Sequence, residues 1–276
     1  MPEYLRPAGL EEALAALVTP HTVLAGGTDF YPARVGWTIH EDVLDITGIA
    51  SLGGIAATAT GWRIGATARW SEVIDADLPP LFDGLKRAAR EVGGRQIQNA
   101  GTVAGNLCNA SPAADGVPPL LALDAEVEIA SRRGLHRIAL GAFITGNRRT
   151  VLAPDELVVA VHVPRPQRPA RSGFVKLGAR RYLVISIAMA AATLEIEAGR
   201  IVAARVAVGA CSAVAQRLAA LERDLDGAPV DRALVERIRP EHLAPLAPID
   251  DVRGSAAYRR DAALTLLRRL LLEFVP

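Results

Sequence analysis

Two glycine-rich segments in the first half of the chain constrain its architecture more than any other feature of the sequence. Residues 22–24 form a short apolar run that stops at Ala25-Gly26-Gly27-Thr28-Asp29, a pattern typical of a strand that ends in a glycine loop. The second segment, Gly101-Thr102-Val103-Ala104-Gly105-Asn106, repeats this mixture of small and hydroxyl-bearing residues. Because glycine lets a backbone approach a ligand closely and successive free N–H groups form an anion-binding nest, the pair predicts a phosphate group held between two loops.

Each loop taken alone has a simpler explanation, because glycine turns that join a strand to a helix are common. Neither segment has the G-x-G-x-x-G or G-x-x-x-x-G-K-[ST] spacing, which argues against a Rossmann dinucleotide fold and a P-loop. Downstream, Asp115 is able to accept hydrogen bonds from ribose hydroxyls or, alternatively, to cap the turn before Pro118-Pro119. Two such loops in one lobe favour the phosphate-binding interpretation.

Composition and charge exclude several classes of protein. Half of the 276 residues are hydrophobic and only 4% are aromatic, so Ala, Val, Leu and Ile must fill the core of one large or two modest domains. Lys plus Arg number 31 against 30 Asp plus Glu, without a basic stretch interleaved with aromatics, so we expect no nucleic-acid partner. The start, MPEYLRPAGLEEAL, lacks a basic region followed by an apolar stretch, and no apolar run reaches the length of a membrane span. We therefore expect a soluble, cytoplasmic protein without a transmembrane segment.

The cysteine and histidine residues do not predict a metal site. Cys108 and Cys211 lie far apart in sequence, so they provide neither a disulfide framework nor a Cys-x-x-Cys cluster site. The five histidines stand alone, without the spacing that would direct two ligands to one metal. We expect them to be surface or packing residues, and we expect any iron–sulfur chemistry to reside on another chain.

Apolar periodicity predicts a mixed α and β first lobe, followed by a second lobe in which antiparallel strands precede helices. The segment 96–115 lacks periodicity and is rich in Gly, Asn and Ser, so we predict a long functional loop there. The segment PRPQRPARS (residues 164–172) predicts the domain boundary. The predicted strands are 22–24, 43–46, 62–67, 126–130, 157–163, 173–177, 187–196 and 201–208, and the predicted helices are 10–17, 81–92, 214–225, 232–238 and 256–274.

Four motifs occur along the chain in the order AGGTD (residues 25–29), QIQNAGTVAGNLCNASPAAD (96–115), PDELVVAVHVP (154–164) and FVKLGARR (174–181). In this order they resemble the flavin subunits of the xanthine dehydrogenase, aldehyde oxidase and carbon monoxide dehydrogenase group of molybdenum hydroxylases. The resemblance covers nearly the whole chain, including the tail over residues 250–271. One departure is Ala104, which stands where that family usually has a glycine.

The resemblance implies an α+β fold with a two-subdomain FAD-binding domain of the vanillyl-alcohol-oxidase (PCMH) type over residues 1–166, its subdomains meeting near residue 55. A C-terminal domain over residues 170–276, with an antiparallel three-stranded sheet and helices, would follow. The two loops would clamp the FAD pyrophosphate mainly through backbone amides, Asp115 would lie near the ribose or adenine, and Val158 and Lys176 would approach the isoalloxazine. The alternative for Lys176 is a solvated strand lysine. The implied cofactor-binding residues are Leu24, Ala25, Gly26, Gly27, Thr28, Asp29, Phe30, Ile97, Gly101, Thr102, Gly105, Asn106, Asp115, Val158 and Lys176.

The function that the resemblance implies is an electron relay. A large molybdenum-cofactor subunit would oxidise the substrate, a small iron–sulfur subunit would pass the electrons on, and FAD on this chain would deliver them to NAD, quinone or oxygen. One alternative is a free-standing FAD-dependent oxidoreductase of the same fold, although the sequence offers no convincing His, Tyr or Glu constellation for acid–base chemistry over a flavin. The other is a non-catalytic nucleotide-binding assembly subunit, which would purify without colour.

Overall fold

The strands of this chain form a parallel sheet, a larger antiparallel sheet, a C-terminal antiparallel sheet and a small hairpin. The computed structural model describes residues 2–181 and 183–276. The strands, numbered in chain order, are β1 (Tyr4–Leu5), β2 (Thr22–Leu24), β3 (Val43–Asp45), β4 (Ile55–Ala57), β5 (Gly61–Gly65), β6 (Glu126–Ser131), β7 (Gly134–Ala139), β8 (Ile144–Gly146), β9 (Arg149–Thr150), β10 (Leu157–Pro164), β11 (Ala170–Leu177), β12 (Ala188–Glu197), β13 (Arg200–Gly209) and β14 (Gln216–Arg217).

Most of the helices are short and connect or cover these strands. None of the helices in the described part of the chain combines the length and the apolar character needed to cross a lipid bilayer. The helices are α1 (Leu10–Ala16), α2 (Trp70–Asp75), α3 (Asp83–Glu91), α4 (Arg95–Ala100), α5 (Val103–Asn109), α6 (Val117–Ala122), α7 (Leu140–Phe143), α8 (Ala219–Leu225) and α9 (Ala256–Leu272), with 3-10 turns at Pro32–Arg34, Ile46–Gly48, Ala50–Leu52, Pro80–Phe82, Arg232–Arg237 and Pro240–Leu243.

The first sheet positions the first glycine loop. Its order is β1-β3-β2, and both pairings are parallel. Helix α1, whose Ala13 and Leu14 are buried, lies between β1 and β2 along the chain. Because the strands point the same way, the loop that follows β2 leaves the carboxyl edge of the sheet, where α/β folds commonly bind ligands.

The second sheet, of order β4-β5-β10-β6-β7, is antiparallel. Its central strand β10 is buried along its whole length except at Pro164, which explains why its sequence is apolar apart from His162, which lies 3.2 Å from Glu128. The pairing of β10 with β6 shifts register between Val158 and Ala160. A bulge of this kind changes the direction of nearby side chains, and here it lies beside the site described below.

The C-terminal sheet contains the three long antiparallel strands expected from the sequence, β11, β12 and β13. The two-residue strand β14 pairs with β13, so the sheet has four strands rather than three. Two residues are too short to produce a periodic signal, which is why the sequence did not indicate this strand. The α+β class and the helices that accompany this sheet are as expected.

The two faces of β12 contact different parts of the molecule. Ala188, Ala190, Ala192 and Leu194 face a core that includes the apolar stripe of α9. The alternate residues Met189 and Ala191 are buried with Phe174 and with Ala88 and Ala122 of the first lobe. This period-two alternation places the sheet between its own helices and the first lobe.

Several predicted elements differ from the structure. Residues 96–115 are not a continuous loop, because α4 and α5 form on either side of Gly101-Thr102. The helix predicted over residues 214–225 begins only at Ala219, since the chain first pairs with β13. Residues 232–237 form a 3-10 helix rather than an α-helix, and residues 170–172 of the expected linker belong to β11.

Candidate functional site

The two glycine loops lie against each other. A Cβ atom added to Gly26 would lie 2.8 Å from both the Ala100 carbonyl carbon and the Gly101 Cα, and closer still to the Ala100 oxygen. A Cβ atom on Gly101 would lie 3.3 Å from Thr28 Oγ1. Glycine is therefore required here because two backbones touch, in addition to any approach of a ligand.

The first loop has backbone donors that the chain leaves unused. Within the described residues, the N–H groups of Gly26, Gly27, Thr28 and Asp29 donate no hydrogen bond. Gly27 has φ 69°, in the left-handed region that favours glycine. Consecutive amides around such a residue converge on one point and form a concave anion-binding nest. The loop is thus able to hold a phosphate group, as the sequence predicts.

The second loop uses its amides differently. The Thr102 hydroxyl caps α5 by accepting the Gly105 N–H at 3.0 Å, and the Asn106 N–H donates to the Thr102 carbonyl at 3.1 Å. The Asn106 side chain accepts the Gly116 N–H at 3.3 Å. The Gly101 N–H donates to the Ile97 carbonyl at 2.7 Å, so three amides that the family resemblance assigns to a clamp are already bonded within the chain. Ala104 is helical and buried, so the departure from glycine causes no strain.

The two loops line one cavity of about 640 Å³, a volume typical of cofactor sites. Of the predicted binding residues, all except Asp115 and Lys176 belong to its lining. The described lining consists of Thr22, Val23, Leu24, Ala25, Gly26, Gly27, Thr28, Asp29, Phe30, Ala33, Arg34, Ile46, Ala66, Trp70, Val92, Ile97, Gly101, Thr102, Ala104, Gly105, Asn106, Cys108, Asn109, Arg148, Leu152, Leu157 and Val158.

Part of the cavity lining is apolar. Trp70 is buried at the start of α2, and its backbone N–H donates to the Gly101 carbonyl at 3.1 Å, which joins this wall to the second loop. Val158 lies at the β10 bulge, and Ile97 of α4 is partly exposed. Sequence analysis missed Trp70, although a large aromatic residue beside a strand end is a signal that could have indicated it.

Another part of the lining is polar and joins three separate segments. Asn109 Nδ2 donates to Asp29 Oδ2 at 3.0 Å, and Arg148 Nη1 lies 3.4 Å from Asp29 Oδ1. Arg148 also donates to the Asn109 side-chain oxygen. Neither Asn109 nor Arg148 was predicted as a binding residue. Asn109 lies within the motif over residues 96–115 but was not assigned to the site, and the hairpin that carries Arg148 is remote in sequence from both glycine loops.

Asp115 and Lys176 form a buried ion pair outside the cavity lining. Their side chains are 12% and 5% exposed, with Lys176 Nζ 3.0 Å from the carboxylate, and the Ser186 hydroxyl donates to Asp115 at 3.2 Å. Burial raises the pKa of Asp115 to about 6, while Lys176 and Ser186 oppose that rise. The pair joins the first lobe to the C-terminal sheet, so Lys176 is not a solvated strand lysine and Asp115 is not simply a turn cap.

The residues of the cavity fit an FAD molecule. Unpaired loop amides suit a diphosphate, and the apolar wall suits an aromatic ring system. The fold and the cavity therefore define a two-lobed α+β protein with a dinucleotide-sized site between two glycine loops.

Comparisons with known proteins agree with this class. Residues 1–166 match the family described as the FAD binding domain in molybdopterin dehydrogenase, and residues 174–274 match the CO dehydrogenase flavoprotein C-terminal domain. The xanthine dehydrogenase FAD-binding subunit of Escherichia coli O157:H7 is 31% identical over 281 residues, covering 99% of this chain and 95% of that protein. The nicotinate dehydrogenase FAD-subunit of Eubacterium barkeri is 29% identical, covering 99% and 96%.

Solved structures give the same result. The chain resembles reconstituted CO dehydrogenase from Oligotropha carboxidovorans, with a TM-score of 0.89, 26% identity and coverage of 100% of this chain and 97% of that one. It resembles quinoline 2-oxidoreductase from Pseudomonas putida 86 with a TM-score of 0.90, 25% identity and the same coverage. The chain belongs to the family of FAD-binding subunits of the molybdenum hydroxylases. It is an oxidoreductase subunit of the xanthine dehydrogenase type.

Proposed function

We propose that this chain holds FAD in the cavity between the two glycine loops and relays electrons from iron–sulfur clusters on a partner chain to a terminal acceptor. The observation that carries the proposal is the run of unpaired amides at Gly26–Asp29, which shares a cavity with an apolar wall. A bound flavin supplies the ability to accept electrons singly and to release them as a pair. The chain's own residues bind and orient the cofactor.

The predicted binding residues keep this role in the proposal, with one distinction. The residues from Leu24 to Phe30, with Ile97, Gly101, Thr102, Gly105, Asn106 and Val158, line the cavity. Asp115 and Lys176 lie outside the lining, so any part that they play in cofactor binding requires them to exchange their mutual ion pair for contacts with the cofactor.

The partners follow from the chemistry that this chain lacks. Two cysteines cannot supply the four thiolates of an iron–sulfur cluster, and Cys211 is buried in the C-terminal core. We therefore expect a small iron–sulfur subunit and a large molybdenum-cofactor subunit. Related chains are named FAD-subunit or medium chain of such dehydrogenases, which supports this expectation. We expect NAD, quinone or oxygen as acceptor and a cytoplasmic complex.

We also propose the domain division predicted from the sequence, with the FAD-binding domain over residues 1–166 and the C-terminal domain over residues 170–276. The parallel sheet ends at Asp45, whereas the five-stranded sheet begins at Ile55, which supports a subdomain boundary near residue 55.

An anaerobic reduction experiment tests the relay. The purified chain, loaded with FAD, is mixed with candidate organic substrates of the complex while the flavin absorbance is followed, and the mixture is then supplemented with both partner chains. We expect bleaching only after the partners are added. Bleaching by an organic substrate before that addition would favour the free-standing oxidoreductase. A colourless chain that binds no FAD would favour the assembly subunit.

A further inference from the structure

The cofactor cavity has very few charged side chains, although its proposed ligand carries a diphosphate. In the described lining, the cationic side chains are those of Arg34 and Arg148, and the acidic one is that of Asp29. A cation would add charge-assisted hydrogen bonds to the partial charges that the amides supply, and such bonds are about twice as strong as neutral ones.

Arg34 is already neutralised. Its Nε donates to Glu41 Oε1 at 2.5 Å, its Nη1 donates to the Phe30 carbonyl at 2.9 Å, and its guanidinium lies 3.9 Å from the centre of the Phe30 ring. Glu41 lies outside the cavity lining as far as the structure describes it, and its pKa is lowered by hydrogen bonds that include the one from Arg34. This arginine serves to hold the Phe30 loop in place.

The backbone directs Arg148 toward the cavity. Arg148 has φ 58°, an uncommon conformation for a residue other than glycine, asparagine or aspartate. Its N–H donates to the Ala110 carbonyl at 2.9 Å, at the end of α5, which fixes the turn against the second glycine loop's helix. Strained backbone of this kind persists where the surrounding structure holds it, and it is frequent at ligand sites.

Asp29, the only acidic residue in the described lining, is the ion-pair partner of Arg148. Asp29 is the last residue of the run of unpaired amides, and its carboxylate contacts both Arg148 and Asn109. Arg148 therefore lies beside the last residue of this run and lines the same cavity. Both side chains are more than half exposed, so the pair is weak and easily exchanged in solvent.

We propose that Arg148 is the cation that binds a phosphate of the FAD, and that Asp29 is its counter-ion only while the cofactor is absent. The planar guanidinium is suited to two parallel hydrogen bonds to phosphate oxygens. This inference rests on the proposed FAD site and adds to it a residue that selects for the phosphate-bearing half of the cofactor.

Equilibrium binding to the flavin-free full-length chain tests the inference. Flavin fluorescence gives the Kd for FAD and for riboflavin, which lacks phosphate, and competition gives the Kd for ADP. Arg148→Asn is the main variant because asparagine tolerates the left-handed backbone. Arg149→Asn is its matched control, since Arg149 is in the same hairpin and outside the described lining.

We expect Arg148→Asn to weaken FAD and ADP binding by about 10- to 100-fold and to leave riboflavin binding unchanged. Arg148→Lys should recover part of the loss, because it keeps the charge without the planar fork. Asp29→Asn keeps the backbone N–H that the proposed site uses and removes only the competing carboxylate, so it should bind FAD at least as tightly as the wild type. The control should match the wild type in all three assays.

Three results would overturn the inference while the proposed FAD site stands. The first is an unchanged FAD affinity in Arg148→Asn. The second is an equal loss of riboflavin and FAD affinity, which would indicate general damage to the cavity. The third is a loss in Asp29→Asn as large as that in Arg148→Asn, which would make Asp29 a direct contact of the cofactor. A wild-type chain that binds no FAD would instead refute the proposed function itself.

Discussion

The contact between the two glycine loops predicts that Gly26→Ala is severely destabilising. The φ angle of Gly26 is not in the left-handed region, so the backbone conformation itself accepts alanine and the effect is purely steric. The new methyl would lie 2.8 Å from the Ala100 carbonyl carbon and the Gly101 Cα, where ordinary contacts begin near 3.4 Å. It would lie closer still to the Ala100 carbonyl oxygen, and all three neighbours are backbone atoms, so the loops would have to separate by more than about one ångström.

We expect this substitution to lower the free energy of unfolding by about 2–3 kcal/mol, at the upper end of the cost of overpacking. Urea unfolding of the flavin-free chain, monitored by tryptophan fluorescence, measures this change. FAD titration of the same variant should give a higher Kd. Gly141→Ala is the matched control, because its new methyl would lie 3.7 Å from Leu121 Cδ2, an ordinary contact. If Gly26→Ala unfolded within about 0.5 kcal/mol of the control, the proposed contact between the loops would be wrong.

Two further predictions concern buried charges. Burial raises the pKa of the Asp115 carboxyl to about 6, so the folded chain binds the carboxyl proton more tightly than the unfolded chain does. The contribution of this carboxyl to the free energy of unfolding therefore falls as the pH rises from about 4 through about 6. Asp115→Asn should remove that slope from urea unfolding measured across this range, and an unchanged slope would contradict the assignment. Arg259 is 2% exposed and donates to the Ile187 carbonyl at 2.6 Å and to Asp251 at 2.6 Å. Replacing it by methionine should lower the free energy of unfolding by about 3 kcal/mol. Arg269→Met, an exposed change on the same helix, should cost less than about 0.5 kcal/mol, and equal losses in the two variants would refute the role of Arg259.

The sequence predicted the fold well where apolar periodicity was clear or where glycine turns marked the ends of an element. The strand Thr22–Leu24 was predicted with its observed bounds, because an apolar run and a glycine loop define both of its ends. The stripe of α9 and the alternation of β12 were likewise visible, since each spans enough residues for its period to be recognised. The short helices α4 and α5 were missed, because six or seven residues rich in Gly and Asn carry little helical propensity and depend on tertiary packing.

The candidate site was only partly predictable for a related reason. Binding groups that lie within one loop, such as residues 25–29, can be predicted from the local sequence. Arg148 reaches that loop only because the hairpin of β8 and β9 folds back over α5, and the sequence contains no local sign of this contact. The pairing of Asp115 with Lys176 also joins residues that are distant in sequence. The sequence predicted Lys176 to be either solvated or close to the cofactor, and it gave no sign of this carboxylate partner.

A crystal structure of the chain grown with FAD tests the central claim most directly. We predict that the cofactor diphosphate lies on the free amides of Gly26–Asp29, with the remainder of the molecule in the cavity that Trp70 and Val158 line. FAD bound outside this cavity, or a diphosphate that makes no contact with these amides, would contradict the account.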